Sequence, residues 1–186
     1  MPLGRFLQGL FGQERESQIS YECAECGETH CGLPSLVNAE PPEYKAIPEL
    51  ERAARAELTQ DTCIIDGQHY FIRANLPVPV LGTEEHLDWG VWVTQSEESF
   101  NRYLETYDDD QSEMGSFGWL GVFMTAYKRT EPGSEIEYLA SDISWGAPGL
   151  RPTVVIHECD HPLYLDQQHG ITVERAIELV RPYLHA

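Results

Sequence analysis

The sequence has few basic residues. It contains 12 lysines and arginines against 31 aspartates and glutamates, which gives a net charge of −19 over 186 residues. Such a surface repels nucleic-acid phosphates and anionic membranes, so we expect neither as a direct partner. It does suit a basic protein partner, because opposite charges accelerate encounter and select against acidic competitors. Acidic proteins are also common for reasons of solubility alone.

The sequence also lacks a long apolar run. No stretch approaches the roughly 18 consecutive apolar residues of a membrane-spanning helix. At the beginning of the chain, Gly4 and Gly9 interrupt the apolar residues, so the segment does not have the continuous apolar core of an export signal. We therefore expect a cytoplasmic protein.

Several enzyme motifs are absent from the sequence. No glycine-rich phosphate loop, dinucleotide fingerprint or nucleophile elbow is present. These absences argue against nucleotide-dependent and serine-hydrolase chemistry. The residues that remain as candidates for a functional site are the cysteines and histidines.

The cysteines favour a metal site. There are five, an odd number, arranged as one Cys23-x-x-Cys26 pair followed by Gly27, with the others scattered. This pattern suits a reducing compartment better than a disulfide framework. In a metal knuckle, a tight turn directs two thiolates at one ion, and glycine lets the chain turn back at positive φ. His30 is the predicted third ligand, because the strand leaving the turn can bring its imidazole back toward the ion.

A structural zinc ion needs a fourth ligand, and no second C-x-x-C supplies it. The two candidates are Cys63, at the head of a predicted hairpin, and His161, which precedes Pro162. We favour Cys63 because structural zinc sites are rich in sulfur, although a free cysteine is often only a small buried apolar residue. The predicted Zn²⁺ ligands are therefore Cys23, Cys26, His30 and Cys63.

Residues 157–161 match the H-E-x-x-H spacing of zinc peptidases. That chemistry needs both imidazoles on one face of a helix. Here a β-branched run precedes the motif, and Pro162 disfavours helical geometry at the residue before it. We interpret the match as a coincidence. The alternative that stays open is a zinc-dependent hydrolase in which His157, Asp160 and His161 hold an ion with an open coordination position.

The pattern of the whole chain predicts an α+β fold, a mostly antiparallel sheet with a few helices and an N-terminal zinc knuckle. Residues 62–93 are rich in β-branched and aromatic residues, and Asp66-Gly67 is the strongest hairpin signal. Residues 39–48 contain three prolines, which argues against a helix there. Helices that begin at a proline or an N-capping residue are expected at residues 48–58, after Ser96 and after Thr172.

We expect residues 1–17 to form a flexible or loosely docked arm and residues 18–186 to form a single domain. The chain is long enough for one domain with a sizeable core, whereas a second full domain would be cramped.

Several short motifs carry a resemblance to a known family. They are Cys23-x-x-Cys26-Gly27, Cys63-x-Ile65-Asp66-Gly67-x-His69, Trp89-Gly90-Val91-Trp92-Val93, Phe117-Gly118-Trp119-Leu120, Gly149-Leu150-Arg151-Pro152 and Asp160-His161-Pro162-Leu163. The chain resembles the bacterial family catalogued as domain of unknown function 2199 from about Tyr21 to its C-terminus. The resemblance implies an ordered, cytoplasmic bacterial domain and no assigned activity. Cys31 and Cys159 depart from the family pattern, which makes them weaker ligand candidates.

These observations predict a non-enzymatic, acidic, zinc-binding module for protein–protein interaction. An inhibitor or immunity-type protein that neutralises a basic partner would suit this design.

Overall fold

The structure is a computed structural model that describes residues 19–23, 26–129 and 136–184. The chain divides into two compact units, Met1–Gly32 and Leu33–Ala186. The arm predicted for residues 1–17 lies outside the described residues. The single domain predicted for residues 18–186 stays a prediction, which a test for one cooperative unfolding transition would check.

The first unit contains a small antiparallel hairpin. Its strands are β1 (Ser20–Glu22) and β2 (Thr29–Cys31), with Tyr21 opposite His30. The backbone N–H of Gly32 donates to the carbonyl of Ile19 at 2.8 Å. The turn between the two strands therefore carries the C-x-x-C motif.

The second unit is built on one large sheet. Its strands are β3 (Leu36–Val37), β4 (Ala56–Leu58), β5 (Thr62–Ile65), β6 (His69–Pro79), β7 (His86–Gln95), β8 (Gly115–Gly121), β9 (Tyr138–Ser144) and β10 (Thr153–Ile156). They are ordered β3-β7-β8-β9-β10-β6-β5-β4, and β6 also pairs with β7, so the strands from β6 to β10 form a closed ring. Only the β3–β7 and β10–β6 pairings are parallel among these strands. The predicted α+β class with a mostly antiparallel sheet is confirmed.

Five α-helices are described: α1 (Pro42–Ala46), α2 (Glu49–Arg55), α3 (Glu97–Glu105), α4 (Pro162–His169) and α5 (Val173–Val180). The predicted N-caps of α3 and α5 are confirmed. Ser96 Oγ accepts the N–H of Ser99 at 3.1 Å, and Thr172 Oγ1 accepts the N–H of Arg175 at 3.2 Å. Each cap satisfies a backbone donor that the helix itself leaves free. In the part of the chain that the structure describes, no helix is long and apolar enough to cross a membrane.

Near the prolines, one helix prediction is wrong at its C-terminal end and the exclusion of another helix is wrong. The helix predicted for residues 48–58 ends at Arg55, because the next residues form β4, in which Ala56 pairs with Ile65. Sheet hydrogen bonds there override the helix propensity of alanine. A helix excluded by the prolines does form as α1, because Pro42 occupies its first turn, where no backbone N–H is needed.

The long β6–β7 pair separates two layers of buried side chains. On one face, Leu76 lies opposite Trp89 and Ala74 lies opposite Val91, all with almost no exposed surface. On the other face a smaller cluster contains Ile47, Cys63, Ile65, Phe71 and Trp92. Trp89 and Trp92 therefore lie on opposite faces of β7. The Asp66-Gly67 hairpin is also confirmed, with φ of 53° and 63° at the two residues.

Candidate metal centre

The turn between β1 and β2 brings two cysteines and one histidine together. The ligand atoms of Cys23, Cys26 and His30 all lie within 4.8 Å of one another. The Cys26 Sγ to His30 Nε2 distance is 3.5 Å. With zinc bonds of about 2.3 Å to sulfur and about 2.0 Å to nitrogen, a tetrahedral site separates these two atoms by roughly 3.5 Å. The three donor atoms therefore lie close enough together that the cluster could hold a metal ion.

The backbone of the turn explains why these donors converge. The N–H of Gly27 donates to the carbonyl of Cys23 at 2.8 Å, and the N–H of Cys23 donates to the carbonyl of Glu28 at 2.9 Å. Gly27 has a φ of +71°, a conformation that other residues adopt only with strain. This is the sharp reversal that the C-x-x-C-Gly pattern predicts.

The surroundings of the three donors differ. Cys23 is buried, Cys26 is exposed and His30 is half-buried. The ring of Tyr21 stacks on the His30 imidazole, with centroids 5.6 Å apart and an interplanar angle of 24°. Stacking on a neighbouring strand restricts the rotation of the imidazole. In the cluster, Cys23 is therefore buried, His30 is held by an aromatic ring and Cys26 faces solvent.

Cys63, the predicted fourth ligand, lies in the second unit, on β5. Its side chain has no exposed surface and packs with Ile65, Phe71 and Trp92. Burial, and then the nearby charges of Glu43 and Glu40, raise the pKa of the Cys63 thiol to about 12. A metal-free thiol in these surroundings is protonated at neutral pH. Its assignment as the fourth ligand stays a prediction.

His161, the other candidate for the fourth position, also lies in the second unit and has no exposed surface. It is the N-cap of α4, where its Nδ1 accepts the backbone N–H of Leu163 at 3.1 Å. A neutral imidazole that accepts at Nδ1 carries its proton at Nε2. The Nε2 atom faces the Glu137 carboxylate, 3.5 Å from Oε2. The Nδ1 atom is therefore occupied by the cap of α4, whereas Nε2 is buried near Glu137 and makes no hydrogen bond among the described residues.

The H-E-x-x-H residues do not form a helical metal site. His161 has an extended backbone, with φ −74° and ψ 135°, and α4 begins only at Pro162. His157 is exposed and pairs through Nε2 with Asp142 Oδ1 at 3.0 Å. Asp160 accepts a hydrogen bond from Arg129 at 3.1 Å. Within the described ranges, His157, Asp160 and His161 do not form a cluster of converging donors, so this geometry does not support the hydrolase alternative.

The second unit carries an exposed aromatic strip. It consists of Phe117 and Trp119 of β8 and Tyr138 of β9, whose side chains are 48%, 46% and 41% exposed. The Phe117 and Trp119 rings lie edge to face, with centroids 5.5 Å apart. Their spacing of two residues puts them on one face of the strand. That spacing is the sequence signal for the strip, and the sequence analysis did not assign it to a site.

A family model described as "Uncharacterized protein conserved in bacteria (DUF2199)" matches residues 22–171. The matched part includes all four predicted zinc ligands. No curated protein and no solved structure matches the chain.

Proposed function

Because the chain belongs to this uncharacterised bacterial family, domain of unknown function 2199, whose description assigns no activity, we propose a function from the residues themselves. The protein is an acidic, non-enzymatic binding module. Zinc at the Cys23, Cys26 and His30 cluster stabilises its fold, and the second unit binds a basic protein. An acidic module that binds a basic protein could act as an inhibitor or immunity-type protein, and we propose this role for it. The five cysteines form no disulfide in the described part of the chain, which suits the reducing cytoplasm, where we expect the protein to act.

The donor set supports zinc as the metal. Two thiolates and one imidazole are soft and borderline ligands of the kind that zinc combines in structural sites. Cys63 is the proposed fourth ligand, which would close the coordination sphere and leave no position for a reacting water. A closed site of this kind stabilises a fold and does not catalyse a reaction.

The aromatic strip (Phe117, Trp119 and Tyr138) is the observation that carries the binding role. Large aromatic side chains are usually buried or used at interfaces, and Trp and Tyr dominate the binding energy of protein–protein contacts. Asp142 lies directly opposite Phe117 on the adjacent strand, and its side chain is 70% exposed. Arginine stacks on aromatic faces and pairs with carboxylates, so the strip fits an arginine-containing surface. The net charge of −19 would attract such a partner over longer distances.

The partner surface is tested by titrating the protein with a short arginine-rich peptide at physiological ionic strength. The matched probe is the same peptide with citrulline in place of arginine, which keeps the shape and removes the charge. We expect the Phe117→Ala, Trp119→Ala double variant to bind the arginine peptide about tenfold more weakly or worse. A control double variant, Leu50→Ala with Leu150→Ala, removes two exposed apolar side chains outside the strip and should bind like the wild type.

Equal affinity of the wild type and the strip variant would contradict the surface assignment. It would show that binding reflects only diffuse attraction between opposite charges. Equal binding of the citrulline peptide would contradict the choice of a basic partner.

The metal is tested separately by measuring the zinc content of the purified protein. We expect about one zinc ion per chain in the wild type and in Cys31→Ser, whose thiol is exposed on the same hairpin. Cys26→Ser and His30→Ala should each lose the zinc. Full zinc content in both of these variants would overturn the proposed site.

A further inference from the structure

The second unit contains a cavity of about 460 Å³ beside α1. Its apolar part is formed by Ile47, Ile65 and Phe71, which are almost fully buried. Glu43 and Tyr138 line another side, where the Tyr138 hydroxyl donates to Glu43 Oε1 at 2.6 Å. The volume lies within the range of natural small-molecule sites, about 300–1,000 Å³. The cavity therefore combines an apolar floor with a few convergent polar groups, as ligand sites do.

The charges around the cavity are unbalanced. Arg55 is a lining residue, but Asp66 accepts two hydrogen bonds from its guanidinium, at 2.9 and 2.7 Å, and Glu51 accepts a third at 3.1 Å. These two carboxylates already neutralise the arginine. Its positive charge is therefore already paired with these two carboxylates.

Glu43 is the group that this arrangement leaves unsatisfied. Its Oε2 is buried and has no hydrogen-bond partner among the described residues. Burial, and then the hydrogen bond and charge of Glu43, raise the pKa of the Tyr138 hydroxyl, so Tyr138 remains a neutral donor to this carboxylate. A carboxylate with one neutral donor beside an apolar wall is costly, and a cation placed in the cavity would offset that cost. Low-dielectric walls also strengthen the attraction between such a cation and Glu43.

We propose that this cavity binds a small organic cation, an ammonium or amidinium group on an apolar body, with Glu43 as its counter-charge. The apolar body packs on Ile47 and Phe71, and the cationic head lies toward Glu43 and Tyr138. This binding goes beyond the proposed protein-binding role, because it concerns the cavity beside α1 and a ligand of a different size, although Tyr138 belongs to both the cavity and the aromatic strip.

Benzamidine, benzamide and benzoate test the proposal as a matched set. They have the same apolar ring and similar head groups that are positive, neutral and negative. Calorimetric titration of the full chain should show saturable binding of benzamidine, binding of benzamide weaker by about tenfold or more, and no binding of benzoate. Glu43→Gln keeps the shape of the side chain and should reduce benzamidine affinity to that of benzamide. Glu57→Gln removes an exposed carboxylate that does not line the cavity and should leave the affinity unchanged.

The opposite results overturn the proposal. They are the absence of saturable benzamidine binding, equal binding of benzamidine and benzamide, or an unchanged affinity in Glu43→Gln. If Glu43→Gln does not fold, Ala46→Phe provides a second test, because it adds bulk at the cavity lining and should abolish benzamidine binding. Neither variant changes Phe117 or Trp119, so a failure here leaves the arginine-peptide result for the aromatic strip intact.

Discussion

The Nε2 atom of His161 lies 3.5 Å from Oε2 of Glu137, at a position where the histidine side chain has no exposed surface. Arg129 donates to Oε1 of the same glutamate and also to Asp160, so the carboxylate lies between a histidine and an arginine. Burial lowers the pKa of His161 below its ordinary value, although the charge of Glu137 acts in the opposite direction. The folded protein therefore holds His161 as a neutral imidazole at neutral pH.

The stability of the protein should fall with acidification because of His161. Its pKa is lower in the folded chain than in the unfolded chain, so the unfolded chain takes up the proton first as the pH falls. The stabilisation is complete above about pH 6.5 and is lost progressively below it. We expect the urea midpoint to decrease from about pH 7.5 to about pH 5.5, and to decrease less in His161→Asn.

Asparagine is the appropriate replacement because its side-chain oxygen can still cap α4. The comparison therefore concerns the pH dependence and not the absolute stability. His86→Asn, at an exposed histidine, should keep the wild-type dependence. Parallel pH profiles of the wild type and His161→Asn would contradict the assignment.

Gln167 should be important for the attachment of α4 to the sheet. Its side chain accepts the N–H of Ile156 at 2.9 Å and donates to the carbonyl of Val154 at 2.8 Å, both on β10. Replacement by methionine leaves two buried backbone groups without partners, which costs about 1–3 kcal/mol for each such group. Urea unfolding should show this loss for Gln167→Met and almost none for Gln168→Met, at the exposed neighbouring position. Equal stability of the two variants would contradict the prediction.

Gly118 permits the close approach of β7 and β8. A Cβ atom at this position would clash with the carbonyl oxygen of Thr94 and would lie 3.0 Å from Ile143 Cδ1. Because the first neighbour is backbone, the strands would have to separate. We expect Gly118→Ala to lower the free energy of unfolding by about 1–3 kcal/mol. At Gly90 the nearest neighbours of an added Cβ are 3.5 Å away, so Gly90→Ala should cost less. A larger loss of unfolding free energy for Gly90→Ala than for Gly118→Ala would contradict the prediction. It would show that the contact between Gly118 and the Thr94 carbonyl does not limit how closely the strands approach.

Cys63 provides the test of the fourth zinc ligand. If it binds the ion, Cys63→Val should reduce zinc affinity about tenfold or more, although valine suits the apolar surroundings of this side chain. Cys159→Val, at a half-buried thiol outside the predicted ligand set, should retain the wild-type affinity. Zinc affinity that is unchanged in Cys63→Val would show that Cys63 is only a buried apolar residue.

Local rules account for the parts of the fold that the sequence predicts well. The Asp66-Gly67 turn and the N-caps at Ser96 and Thr172 depend on residues a few positions apart. The cluster of Cys23, Cys26 and His30 is of the same kind, since one hairpin carries all three donors. Short-range spacing is enough to specify such features.

Features that depend on distant segments were not predictable in this way. The residues of β4 have helix-forming side chains and become a strand only because β5 is available for pairing. The parallel pairing of Thr153 with Asn75 joins strands from distant parts of the chain. The cavity beside α1 needs residues from α1, the β5–β6 hairpin and β9 together. No single segment of the sequence carries a pattern that predicts the β4 strand, the β10–β6 pairing or the cavity.

The closed ring of strands has a consequence for biosynthesis. Its last member, β10, is translated long after β6, the strand that it joins through Thr153 and Asn75. A nascent chain on the ribosome therefore exposes the unpaired side of β6 until β10 has emerged, and an exposed strand edge invites pairing with other chains. The second unit can finish folding only after its C-terminal third has been synthesised. Chaperone binding is therefore most valuable between the synthesis of β6 and the emergence of β10.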